Sequence, residues 1–72
     1  MNLTAIFEPA AEGGYVCWVQ EMPGVQSQGE TIEEARANLE DAFKLSMEYL
    51  SERARELARP DAIRESFEPG FA

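Results

Sequence analysis

Histidine is absent from this 72-residue chain, and cysteine occurs once, as Cys17. Without an imidazole, the usual base for a serine or cysteine nucleophile is missing, and a structural zinc site has too few ligands to form. A lone cysteine excludes an intrachain disulfide and fits a reducing compartment. Lys and Arg are missing between Met1 and Ala35, a stretch that carries Glu8, Glu12, Glu21, Glu30, Glu33 and Glu34. A nucleic-acid surface needs cations that displace counterions from phosphates, so this half of the chain argues against direct binding to DNA or RNA. Long apolar runs are missing too. The longest, Tyr15 to Val19, falls far short of the ~20 residues that span a bilayer, and no basic segment followed by an apolar one opens the chain. These absences predict a soluble, cytoplasmic protein with no membrane partner.

What is present is small and acidic, with a net charge of −8. A single core of this size rarely contributes more than about 3–5 kcal/mol of net stability unaided. With disulfide and zinc excluded, association with another chain is the expected supplement, a homodimer first. An acidic surface suits a basic protein partner through steering and complementary potentials, although acidity also simply keeps a small domain in solution.

The segment Asn2 to Glu8 sets Leu3, Ala5 and Phe7 on one side and Thr4, Ile6 and Glu8 on the other, the period of a strand. Pro9 cannot donate to a ladder and Gly13-Gly14 accept positive φ, so the chain turns there. Tyr15 to Gln20, YVCWVQ, is rich in aromatic and β-branched residues and predicts a second strand, antiparallel to the first. Its faces, Tyr15, Cys17, Val19 and Val16, Trp18, Gln20, are both largely apolar. Pro23-Gly24 read as the centre of a type II turn, followed by a short edge strand from about Val25 to Gln28 that Gly29 ends. Thr31 to Glu34, TIEE, is a capping box in which the Thr31 hydroxyl accepts from the Glu34 N–H and the Glu34 carboxylate reaches back to the Thr31 N–H. Glu33 and Glu34 also meet the positive end of the helix dipole.

From Ile32 the apolar positions Ala35, Leu39, Ala42, Phe43, Met47, Leu50, Ala54 and Leu57 recur at spacings of three and four, one stripe of a long helix. Arg59 precedes Pro60, which closes the helix near Ala58. A helix of about 27 residues spans about 40 Å, whereas strands of six or seven residues span ~20–23 Å, so its last turns overhang the sheet. The tail from Pro60 to Ala72 places Ile63, Phe67 and Phe71 among turn formers and reads as an extended segment docked on the domain, or a short strand. The fold class is therefore α+β: a small antiparallel three-stranded sheet with one long helix on one face, residues 1–59, and a tail, residues 60–72, docked or flexible.

One helix covers one sheet face. The other face holds either Ile6, Val16 and Trp18 or Phe7, Tyr15 and Val19, and an exposed apolar patch rimmed by polar groups marks a contact surface. The tail, a second copy or a different protein could cover it. No catalytic constellation stands out. Cys17 sits in an apolar strand, where a thiol is a small core hydrophobe; Glu8, Glu12 and Glu21 could meet at hairpin ends and hold Mg²⁺, but loop carboxylates in an acidic chain are usually solvated. The glycines lack the spacing of a phosphate-cradling loop. No enzyme, cofactor or metal site is expected, and the exposed apolar and acidic positions Glu12, Tyr15, Val16, Trp18 and Glu21 are the candidate partner contacts, Trp18 foremost because Trp is enriched at binding hot spots.

A first strand, then EGGY (Glu12 to Tyr15), a hydrophobic strand, MPG (Met22 to Gly24) and QGETIEEARANLEDA (Gln28 to Ala42), in that order and spacing, resembles the HicB-like antitoxin domain over about residues 1 to 50. The resemblance implies a partial ribonuclease H-like β-β-β-α fold and a partner, a small basic ribonuclease toxin of the HicA type whose active site the antitoxin masks. Gln20 stands where the family often has proline and Gln26 where it often has cysteine. Many family members add a C-terminal helix-turn-helix or ribbon-helix-helix domain that binds the promoter; here Pro60 to Ala72 follows the helix, so promoter binding is not expected of these residues. The alternative reading is a stand-alone structural or regulatory homodimer that consumes the open sheet face in self-association.

Overall fold

A computed structural model describes residues 2–70. Three strands, β1 (Ala5–Pro9), β2 (Tyr15–Val19) and β3 (Met22–Gly29), precede one helix, α1 (Ile32–Leu57). The strands form an antiparallel meander in the order β1-β2-β3, with β2 central. This is the β-β-β-α, α+β architecture that the sequence predicts.

The alternating pattern decides which face the helix covers. Cys17 and Val19 of β2, Val25 of β3, and Ala35 and Leu39 of α1 form the buried core, with Leu3, Phe7, Tyr15, Met22, Ala42 and Phe43 packed against it. The helix lies chiefly over β3 and β2. Burying the Cys17 face leaves Ile6 paired with Trp18, and Val16 between Glu8 and Gln28, on the other side.

The hairpin between β1 and β2 turns through Gly13 and Gly14, both at positive φ, and is closed by Ala10 N–H to Gly14 O at 2.9 Å and Gly13 N–H to Ala10 O at 3.0 Å. The second connection differs from the expected type II turn. Val19 pairs with Met22, so the chain reverses at Gln20-Glu21, and the register slips between Trp18 and Val19. Pro23 and Gly24 lie inside β3, and Gly24 does not take the positive φ that a type II turn demands. Pro23 is tolerated there because a bulged edge strand leaves its missing N–H without a partner to lose. The strand is accordingly longer at its start than the sequence suggested.

Gly29 is required by proximity. A Cβ built on it would fall on Ala35 N and lie 2.9 Å from Ala35 Cα, because the first turn of α1 passes directly over the end of β3. Thr31 caps the helix, its Oγ1 accepting from Glu34 N–H at 3.1 Å. The return contact falls one residue earlier than the capping-box reading: Glu34 Oε1 accepts from Glu30 N–H at 3.1 Å. Asn38 Nδ2 donates to Gln28 O at 2.8 Å and fastens the second turn of the helix to β3.

The core engages only the first half of α1. Met47, Tyr49, Leu50 and Leu57 are exposed, and 26 residues at about 1.5 Å each give a rod of about 39 Å, which draws the molecule out to 52 × 26 × 15 Å. At its end Ala58 N–H donates to Arg55 O at 3.3 Å. The tail then runs on without a strand among its described residues. Ile63 and Phe67 are 92% and 83% exposed, so the docking expected of them does not occur: the overhanging helix releases the tail beyond the sheet it was expected to cover. Phe71 lies outside the described residues.

Candidate protein-interaction face

The uncovered side of the sheet is built by the even-numbered residues of β1 and β2 and by Gln26 and Gln28 of β3. At its centre Ile6 stands opposite Trp18 and Trp18 opposite Gln26; one step along, Glu8 stands opposite Val16 and Val16 opposite Gln28. Val16 is 36% exposed, while Ile6 and Trp18 are half-buried by their cross-strand neighbours. The result is an apolar strip of Ile6, Val16 and Trp18, flanked by one carboxylate and two amides. Among the described residues, none of the helix or tail covers it.

Of the candidate contacts, Val16 and Trp18 come together here. Tyr15 points to the other side, where it packs against the core. Glu12 sits in the β1–β2 turn and Glu21 in the β2–β3 turn, at opposite ends of β2, so the two do not converge with Glu8 on a shared ion. Ile6, Gln26 and Gln28 complete the strip. Their membership was signalled by strand parity for Ile6, but for Gln26 and Gln28 it depends on the bulge, which only the register reveals.

Glu21 has a structural task. Its carboxylate accepts from Thr4 N–H at 2.8 Å, tying the start of β1 to the β2–β3 turn, and this backbone donor holds the Glu21 carboxyl below its ordinary value. Cys17 is buried, its Sγ 3.5 Å from Ala35 O, and desolvation pushes its thiol up, against a smaller downward pull from the Ser27 backbone. Among the described residues no cluster of three or more His, Cys, Asp or Glu side chains is arranged to hold a metal ion, and no helix is long and apolar enough to cross a membrane.

The chain thus presents an open, mostly apolar sheet face flanked by Glu8, Gln26 and Gln28. Its family follows from comparison: residues 3–71 match the model of the HicB-like antitoxins of bacterial toxin–antitoxin systems, and the chain belongs to that family. The match extends beyond the blocks seen in the sequence and takes in the described tail. The chain is 44% identical over 65 residues to the UPF0150 protein ssl0738 of Synechocystis sp., covering 90% of each chain. It is 34% identical over 62 residues to the UPF0150 protein ssr1765 of the same organism, covering 86% of this chain and 78% of that one. No solved structure matches it.

Proposed function

We propose that this chain neutralises a small basic ribonuclease toxin of the HicA type by laying the open face of its sheet over the toxin's active site. The observation that supports this reading is the strip of Ile6, Val16 and Trp18, left bare by the helix and bordered by Glu8. The acidic first half of the chain draws a basic partner in at long range, and the strip supplies short-range affinity once water is expelled. Family membership supports the antitoxin role; the toxin class and the masking geometry are the proposal.

The experiment is co-expression with the product of the neighbouring reading frame. Wild type is expected to rescue growth from that product, while Val16→Asp, which places a charge at a partly exposed position without disturbing the core, is expected to lose rescue with its circular dichroism unchanged. Equal rescue by both would overturn the masking face.

A stand-alone homodimer that consumes the open sheet face in self-association has the same bare strip of Ile6, Val16 and Trp18 in its favour. In that reading no small basic protein copurifies, and Trp18→Glu lowers the sedimenting mass.

A further inference from the structure

The outer edge of β1 is open, and its hydrogen-bonding side is known. Gln20 N–H donates to Thr4 O at 2.8 Å, which fixes the alternation: the main-chain groups of Thr4, Ile6 and Glu8 turn toward β2, and those of Leu3, Ala5 and Phe7 turn outward. Pro9, which has no N–H, falls on an outward position, where no ladder bond is lost. Because α1 lies over β3 and β2, it leaves a groove of about 440 Å³ beside this edge, with Leu3, Ala5, Val19, Leu39 and Phe43 in its wall. An exposed strand edge next to an apolar groove is a template for an added strand, main chain giving the ladder and alternate side chains filling the groove.

The tail has the matching pattern. Ile63 and Phe67 are four residues apart, as are Leu3 and Phe7, a separation of about 13 Å in an extended chain. Both are almost fully exposed. In a strand, Ile63, Glu65 and Phe67 share one side and Arg64 the other. The charges agree with that placement. In a chain of net charge −8, the charged residues lining the groove, Arg36, Lys44, Glu40 and Asp41, cancel. Glu65 therefore meets no net acid there, and the Arg36 guanidinium already lies 5.6 Å from the centre of the Phe7 ring, at the groove. Arg64 falls on the sheet side that carries Glu8.

We infer that residues Ala62 to Phe67 of a second copy add to the outer edge of β1 as a fourth strand, Ile63 and Phe67 filling the groove, in a reciprocal exchange that closes a two-fold dimer. The described residues of the chain's own tail do not occupy the groove, since the overhanging half of α1 carries them outward; the same overhang delivers them to a neighbour. Reciprocal exchange pairs each β1 edge once and closes the assembly at two copies. The strip of Ile6, Val16 and Trp18 stays free, so the dimer neither requires nor blocks the proposed toxin contact.

Two measurements on the full chain test this. Sedimentation equilibrium is expected to give wild type about twice the 8.1 kDa chain mass and Ile63→Asp/Phe67→Asp the single-chain mass. Because both side chains are exposed within one chain, the substitution has no route to unfolding it. An unchanged mass in the variant, or a monomeric wild type, overturns the inference. Second, Ala5→Cys combined with Glu65→Cys is expected, on mild oxidation, to give a covalent dimer on a non-reducing gel. A covalent monomer, which would mean that the tail folds back on its own sheet, or no new disulfide, overturns it.

Discussion

Three side chains and one missing side chain hold the joints of this small domain. Gly29 lets the first turn of α1 pass over the end of β3, and a methyl group there meets the backbone of Ala35. Backbone has no alternative rotamer to retreat into, so Gly29→Ala is expected to cost about 1–3 kcal/mol or more, read from the urea midpoint, whereas Gly24→Ala, with nothing within 4 Å of its Cβ, is expected to change it little. Glu21 pins the start of β1 through Thr4 N–H at 2.8 Å. Its folded carboxyl is held below the ordinary 4.5, so the stabilisation is complete above that pH and is lost as pH falls through the lowered value. Thermal melts are therefore expected to drop more steeply below about pH 4.5 in wild type than in Glu21→Gln; parallel profiles would contradict the role. Thr31 and Glu34 do the corresponding work at the helix start, accepting from Glu34 N–H and Glu30 N–H at 3.1 Å each.

The long helix serves two different environments. Its first half supplies Ala35 and Leu39 to the core, and its second half carries Leu50 and Leu57 into solvent at 49% and 70% exposure. Leu39→Ala is expected to destabilise by about 2–5 kcal/mol and Leu57→Ala by no more than about 0.5 kcal/mol at concentrations where the chain is monomeric; equal costs in denaturant melts would contradict the overhang. That division was legible in the sequence, because the apolar stripe runs to Leu57 while three short strands can cover only part of it. The helix ends were legible for the same kind of reason: TIEE supplies local capping partners, and Pro60 excludes helical geometry before it. What escaped was the end of β2. Pro23-Gly24 has the composition of a type II turn, and only the pairing of Val19 with Met22 shows that the chain has already reversed at Gln20-Glu21. The docking of the tail escaped too, since apolar side chains at Ile63 and Phe67 say that something is covered without saying which molecule provides the cover.

At the scale of the whole molecule, a sheet with two apolar faces has one helix, and core burial of Cys17 and Val19 settles which face is left bare. Parity placed Ile6, Val16 and Trp18 together from the sequence, but it could not choose between their face and that of Phe7, Tyr15 and Val19; packing of α1 against Cys17 made the choice. Tyr15, an aromatic expected at the interface, went to the core with it. The chain belongs to the HicB-like antitoxins, and the proposed account is that the bare face masks a toxin while the tail and the β1 edge join two copies. The single tryptophan of the chain, Trp18, stands at the centre of that face and reports on it directly. Its emission, followed as the purified product of the neighbouring reading frame is titrated in and that protein's own signal subtracted, is expected to shift to the blue and saturate at one partner per chain. Saturable binding with Trp18 emission unchanged would place the contact elsewhere and contradict the account.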